Sequence, residues 1–313
     1  MGWFDRKRKA RVESISTSLD APKPNTASIL EGDEGALTPV EVIKLGKLAR
    51  LHPFSPVAVS VIQLFDREKV STHEIANLLQ SDPALAAETL AYVNSPLFAL
   101  PDRVTDLQGA VLVLGAENTR RIAATLAMRG LLKSAPKLAV TRRVWRHSLA
   151  TAVVAGELAP LYGVSSDIAI TAGVLHDIGR IGLLAKDSEE YAQIVLKLYD
   201  NVEGILLVER AVCGMDHCAA GDYLCRAWAL PAVFQEAAAK HHSAKGEPGI
   251  AGLMHTACAM ADDLTFAAIS HRNVLTIADR VAECVPESLR GQALALMAGV
   301  ESRIATKTSQ LDF

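Results

Sequence analysis

The chain reads as an all-α protein of two packed helical subdomains, and three observations predict it. Half of its 313 residues are hydrophobic, yet aromatics are only 5% and Ala and Leu dominate. Long segments lack the Val/Thr alternation of strands. Apolar residues recur at three- and four-residue spacing directly behind helix-capping signals.

Taken in order, residues 1–36 open with the basic cluster Arg6 to Arg11 and continue through Ser-, Thr-, Pro- and Gly-rich sequence. Too few apolar side chains are present to offset ordering entropy, so this segment reads as a disordered, solvated tail. Residues 37–135 read as a first helical lobe. Thr38-Pro39-Val40-Glu41 and Ser71-Thr72-His73-Glu74 have the form of capping boxes, and Ser55-Pro56 and Asp82-Pro83 repeat the cap-then-proline start. Val57/Val61/Leu64/Phe65 and Ile75/Leu78/Leu79 then fall on single helix faces. Gly115 and Gly130 stand where helices near Val111–Leu114 and Thr119–Met128 should stop. Arg120-Arg121 reads as a solvated helix face.

A break at Lys133 to Lys137, containing Pro136, leads to a second lobe over residues 141–266. Its expected helices run from about Arg142 to Ala159, from a Ser165 or Ser166 cap to His176-Asp177 with Gly179 ending it, and from His217 to Ala227 behind an Asp216 cap. Two more run from Pro231 to His241-His242 and from Ile250 to Phe266. Residues 267–313 read as a C-terminal helical extension for packing or self-association, which leaves a homo-oligomer open.

Composition excludes several classes of function. A net charge of −3 argues against general nucleic-acid binding, which needs a concentrated basic face. No run of 18 or more apolar residues and no secretory signal is visible, so a cytoplasmic location is expected. Five cysteines without a CxxC spacing fit reduced thiols. A zinc site made by Cys213, His217 and Cys218 is conceivable on spacing but weak.

One doublet stands out. His176-Asp177 follows the apolar run Ile168 to Leu175, and a carboxylate beside an imidazole on a buried helix calls for a compensating cation. His147 lies 29 residues before His176, His217 lies 40 after Asp177, His241-His242 follow, and Asp262 comes 20 after His242. Each alone is weak evidence, since a lone histidine on a helix is more often a core or surface histidine and an Asp at a helix end more often a cap. Seven such donors with one shared carboxylate would suit two adjacent divalent ions. Cys258 and His255 share a helix face with Asp262, and Asp263 points elsewhere.

The sequence from about Leu51 to Asp262 resembles the HDOD family, the HD-related output domain of bacterial signalling proteins, within the wider HD superfamily of metal-dependent phosphohydrolases. The resemblance is carried by Ser81-Asp82-Pro83-Ala84-Leu85, Val93-Asn94-Ser95-Pro96-Leu97-Phe98 and Leu112-Val113-Leu114-Gly115. It continues through Trp145-Arg146-His147-Ser148, Gly173 to Arg180, Asp216-His217-Cys218-Ala219-Ala220-Gly221, Trp228-Ala229-Leu230-Pro231 and Lys240-His241-His242.

The resemblance implies that the second lobe is an HD-type helical bundle. By analogy with HD phosphodiesterases that hydrolyse cyclic di-GMP, it implies a first metal among His147, His176, Asp177 and Asp262, and a second sharing Asp177 with His217, His241 and His242. Arg180 stands where those enzymes carry a lysine that meets the substrate phosphate. The Gly-Tyr-Pro loop expected after His241-His242 is replaced by Ser243 to Gly249. A His-and-carboxylate set of this kind accepts iron, manganese, zinc or nickel. HDOD proteins are regarded as regulatory modules, so the expectation is a bacterial signal-transduction module with protein partners and a pocket retaining metal-binding capacity. The alternatives are a dinuclear-metal phosphodiesterase acting on a cyclic nucleotide or phosphate ester, and an inert helical scaffold.

Overall fold

A computed structural model describes residues 56–67, 69–133, 138–186 and 188–311. The expectations for the N-terminal tail, the Thr38 box and the Pro136 break therefore lie outside the described residues. Within them the fold is all-α, with only an isolated bridge between Tyr199 and His271 outside the helices.

The first helices are α1 (Pro56–Gln63), α2 (Thr72–Gln80), α3 (Pro83–Val93), α4 (Leu107–Leu114) and α5 (Ala116–Lys133). Their starts follow the capping signals. The Ser71 side chain accepts from the Glu74 amide, and Asp82 accepts from the amides of Ala84 and Leu85. Gly115 ends α4 as expected, at φ 78°. Gly130 does not end α5, which continues to Lys133. Burial of Ala123, Leu126 and Met128 against the core outweighs the roughly 1 kcal/mol that an interior glycine costs a helix.

Arg120 and Arg121 also depart from expectation. Arg120 Nη1 donates to the Leu64 carbonyl at 2.7 Å with its guanidinium over the Phe65 ring, and Arg121 pairs with Asp167 at 3.2 Å. They tie helices together.

The second group comprises α6 (Leu138–Leu158), α7 (Ser166–Leu175), α8 (Ile178–Lys186), α9 (Ser188–Val195), α10 (Val202–Cys213), α11 (His217–Ala227), α12 (Ala232–Lys240) and α13 (Gly249–Ala261). Helix α6 is the central post, packed by α7 and α13. Gly173 sits at the α6–α7 crossing, where a Cβ would lie 2.5 Å from Cα of Ala152. The two backbones can therefore approach as closely as small residues allow. Gly179 corrects the expectation that it ends a helix: α7 stops at Leu175, His176-Asp177 form a turn, and Gly179 lies inside α8 at a close contact with α11.

Helix α13 is likewise shorter than expected. It gives way after Ala261 to a π-helical turn, Asp262–Phe266, in which Thr265 takes φ 70°. The C-terminal α14 (Ile277–Cys284), α15 (Arg290–Met297) and α16 (Val300–Leu311) follow, with α15 and α16 against α6. One continuous apolar core runs from Val57 to Ile304 through Trp145 and Phe234. Each fully buried large side chain contributes roughly 1.5–3 kcal/mol.

Among the described residues, Ser166–Ala185 is long and apolar enough on average to cross a membrane, with a mean hydropathy of 1.4. It comprises α7, the turn and most of α8, and 83% of it is buried inside the fold.

Candidate metal centre

Four stretches of chain converge at one point. Helix α6 carries His147, the α7–α8 turn carries His176 and Asp177, α11 begins with His217, and α12 ends against His241 and His242. His147, His176, Asp177, His217 and His241 are all at most 1% exposed.

The backbone decides which way the imidazoles face. His176 Nδ1 lies 2.8 Å from the Gly173 carbonyl, His241 Nδ1 2.9 Å from that of Ala238, and His147 Nδ1 3.1 Å from that of Phe266. A carbonyl can only accept, so each Nδ1 carries the proton and each Nε2 is left with a lone pair. His217 Nδ1 is 2.6 Å from Glu209 Oε2 and is turned the same way. The π-helical turn after α13 is what presents the Phe266 carbonyl to His147.

The four inward nitrogens form two pairs. Nε2 of His147 and His176 are 3.3 Å apart, and those of His217 and His241 are 3.2 Å apart. Asp177 lies between them, with Oδ2 3.7 Å and 3.8 Å from the first pair and Oδ1 3.5 Å from each nitrogen of the second. Asp177 Oδ1 and His242 Nε2 are buried without a hydrogen-bond partner. His242 stacks beside this second pair, its ring 4.2 Å from His241 and 5.0 Å from His217.

This donor set fits divalent ions. Two nitrogens bound to one ion at about 2.0–2.1 Å in tetrahedral geometry lie ~3.3–3.4 Å apart, close to both observed pairs. Two lone pairs at that distance in a buried site require positive charge between them.

Titration of the groups has the same origin. Burial opposes the charge of Asp177, but Arg180 and the surrounding imidazoles outweigh it and hold the carboxyl well below the usual range. Burial pushes His176 and His242 down, with neighbouring imidazoles adding to the effect on His242, and keeps both neutral. Burial and Arg180 lower His217, yet Glu209 and Cys218 carry it up to about 10. Burial lowers His241 as well, but Cys218 and Asp177 raise it to about 9. The second pair thus favours holding a cation, whether proton or metal.

Two expected site residues take other positions. Asp262 faces the outer nitrogen of His147, with Oδ1 3.3 Å from Nδ1, and its Oδ2 meets His271 Nε2 at 3.4 Å. It is placed to orient His147 rather than to join the inward cluster. Arg180 is 4% exposed; its Nε donates to Asp177 at 2.7 Å, and its Nη1 to Glu209 and the Tyr191 hydroxyl, each at 3.0 Å. In this arrangement the guanidinium is committed to buried partners, whereas the resemblance implied a substrate phosphate contact if the chain is an enzyme. His255 donates from Nδ1 to the His241 carbonyl at 3.1 Å, and Asp263 pairs with Arg280.

Sequence reasoning missed Glu209 and Tyr191, and it raised Cys218 and Cys258 only as weak candidates. Glu209 is fully buried; besides Arg180 and Tyr191 it accepts from both Nδ1 and the backbone amide of His217. Burial would raise its carboxyl, but His217 and Arg180 bring it down to about 2. A glutamate in the body of α10, eight residues before His217 and on a different helix, carried no signal beyond being a charge on an otherwise apolar helix face. Glu209→Ala should destabilise the fold by about 3–5 kcal/mol, because four buried donors lose their acceptor. Urea unfolding checks this, and a change under about 1 kcal/mol would refute the buried network.

Cys218 Sγ lies 3.7 Å from Nε2 of His217 and 3.9 Å from that of His241. Burial raises its thiol, but the two imidazoles bring it down to about 6. Cys258 Sγ lies 3.5 Å from His147 Nε2, and burial together with Asp262 and Asp177 pushes its thiol well up. Cys213 is not part of the cluster. Cys218 and His242 line a cleft of about 1030 Å³ that also exposes Arg210, Lys245 and Arg280, each ion-paired within the protein.

Fold and site together define a helical domain organised around a buried histidine-and-carboxylate cluster. The HDOD domain profile matches residues 51–244, and the chain belongs to the HDOD family. Among solved structures it is similar to an HDOD domain protein of unknown function from Geobacter sulfurreducens, with 22% identity, 86% of this chain and 94% of that chain covered, and a TM-score of 0.64. A protein from Shewanella amazonensis SB2B, provisionally named a phosphohydrolase, has 20% identity over 86% and 95% of the two chains and a TM-score of 0.61. One from Marinobacter aquaeolei VT8, provisionally named a signal transduction protein, has 18% identity over 88% and 66% and a TM-score of 0.64. At these identities the likeness is one of fold. No curated protein matches the chain significantly.

Proposed function

We propose that this chain is a signal-transduction module whose buried pocket holds two divalent ions bridged by Asp177, with His147 and His176 on one side and His217, His241 and His242 on the other. The observation that carries the reading is the carboxylate of Asp177 between two facing imidazole pairs, one oxygen toward each. Ions bound there would act as Lewis acids and electrostatic clamps. The protein's own residues supply the orientation: Glu209 holds His217, three backbone carbonyls hold the imidazoles of His147, His176 and His241, and Arg180 fixes Asp177. Because the ligands come from separate helices, ion binding couples directly to how α6, α8, α11 and α12 pack. That coupling is the means by which occupancy would be relayed to a protein partner.

A second reading, a phosphohydrolase, draws on the open cleft at Cys218 and His242, although its cations Arg210, Lys245 and Arg280 are paired with carboxylates of the protein. The commitment of Arg180 to Asp177 and Glu209 favours the first reading. Metal analysis of the purified protein, with phosphodiesterase assays on cyclic di-GMP and a generic phosphodiester, compares the natural sequence with His176→Ala/Asp177→Ala. Two equivalents of metal without turnover, both lost in the variant, are expected. Turnover that vanishes in the variant would make the chain an enzyme, and a chain without metal would be an inert scaffold.

A further inference from the structure

We infer that Cys218 is a thiolate ligand of the ion held by His217, His241 and His242, adding a sulfur donor to this half of the centre beside the shared Asp177 and suiting it to zinc or another thiolate-accepting ion. The inference rests on the metal-centre reading above and assigns unlike chemistry to its two halves.

The ligating atoms of His217, Cys218, His241 and His242 all lie within 4.8 Å of one another. A sulfur at about 2.3 Å and a nitrogen at about 2.1 Å on one tetrahedral ion are ~3.6 Å apart. The observed separations of 3.7 Å and 3.9 Å are close to that value. An independent group points to the same place: Asp177 Oδ1, fully buried and without a hydrogen-bond partner, faces the same two nitrogens at 3.5 Å.

Local structure supports a thiolate. Cys218 is the second residue of α11, an 11-residue helix, where the amide dipoles favour negative charge. It is partly exposed on the cleft, so the S–H proton can pass to solvent as the sulfur lone pair takes the ion. Cys258 is the internal contrast. It lies within 4.8 Å of the inward nitrogens of His147 and His176, but it is 1% exposed and, unlike Cys218, does not line the cleft. Soft thiolate donors select zinc over the harder ions that suit carboxylate and imidazole alone, so the two halves would differ in ion preference.

Cobalt(II) is the test ion, because thiolate ligation produces an intense near-ultraviolet charge-transfer band that imidazole ligation lacks. The full chain is stripped with chelator and reloaded, alongside Cys218→Ser and Cys258→Ser. The band should appear in the natural sequence and in Cys258→Ser and be absent from Cys218→Ser, which still binds cobalt and unfolds cooperatively. Zinc affinity at this half should fall in Cys218→Ser by more than the roughly 10–100-fold typical of losing an outer-sphere partner. A band that survives in Cys218→Ser, or never forms although cobalt is bound, overturns the assignment while leaving the metal centre standing. Failure of the natural sequence to take up cobalt or zinc would overturn the centre itself and the assignment with it.

Discussion

Asp177→Asn is expected to remove both metal equivalents in one step. Asparagine preserves the volume of the side chain, so packing is not the variable. What changes is that neither oxygen position retains the charge facing the two imidazole pairs, and Arg180 keeps only Glu209 as an anionic partner. His147→Ala should instead lose one equivalent, because His147 faces only one side of Asp177. Metal analysis after dialysis and calorimetric titration count the ions. An Asp177→Asn protein that keeps one equivalent would show that the carboxylate is not shared. The same variant should lower the thermal midpoint even without metal, since breaking a buried ion pair is destabilising by about 3–5 kcal/mol when the partner stays charged.

Gly179→Ala should have the largest effect on folding of any single methyl addition considered. A Cβ at Gly179 would collide with the carbonyl oxygen of His217 and lie 2.6 Å from the amide nitrogen of Gly221. Both obstacles are backbone, so no side-chain rotation relieves them. Overpacking usually costs about 1–3 kcal/mol, and here the upper end or beyond is expected because α8 and α11 must separate. Their separation would also draw His217 away from Asp177. Gly291→Ala is the control: its Cβ meets nothing within 4 Å, and alanine in a helix should be neutral or gain about 0.5–1 kcal/mol. Circular dichroism melts of both variants decide the matter. An unchanged midpoint for Gly179→Ala would mean that the two helices are not held at this distance.

Much of this was legible beforehand, for definable reasons. Ser71, Asp82, Asp216 and Ser165 cap the helices they were expected to cap, because a cap is a contact between residues two or three positions apart. His176-Asp177 was visible as a cluster centre because a charged doublet behind an apolar run is unfavourable without a partner. The extents of helices were harder to read. Gly130 and Gly179 looked like terminators, yet one is carried through by burial of its neighbours and the other marks a helix crossing. Glycine has the same local meaning in both uses, and only the approaching segment distinguishes them.

The sequence by itself determined the all-helical class, the capping pattern and the residue types able to bind an ion, since all three depend on composition and short-range spacing. Only the tertiary structure decided which nitrogen of each histidine faces inward, that Asp262 stands behind His147, that Arg180 is spent on Asp177 and Glu209, and that Cys218 joins the second imidazole pair. Those outcomes depend on acceptors supplied by distant segments, Phe266 for His147 and Glu209 for His217, and on backbones brought into contact at Gly173 and Gly179. Orientation at a buried site is set by its surroundings, and the surroundings exist only once the helices have packed.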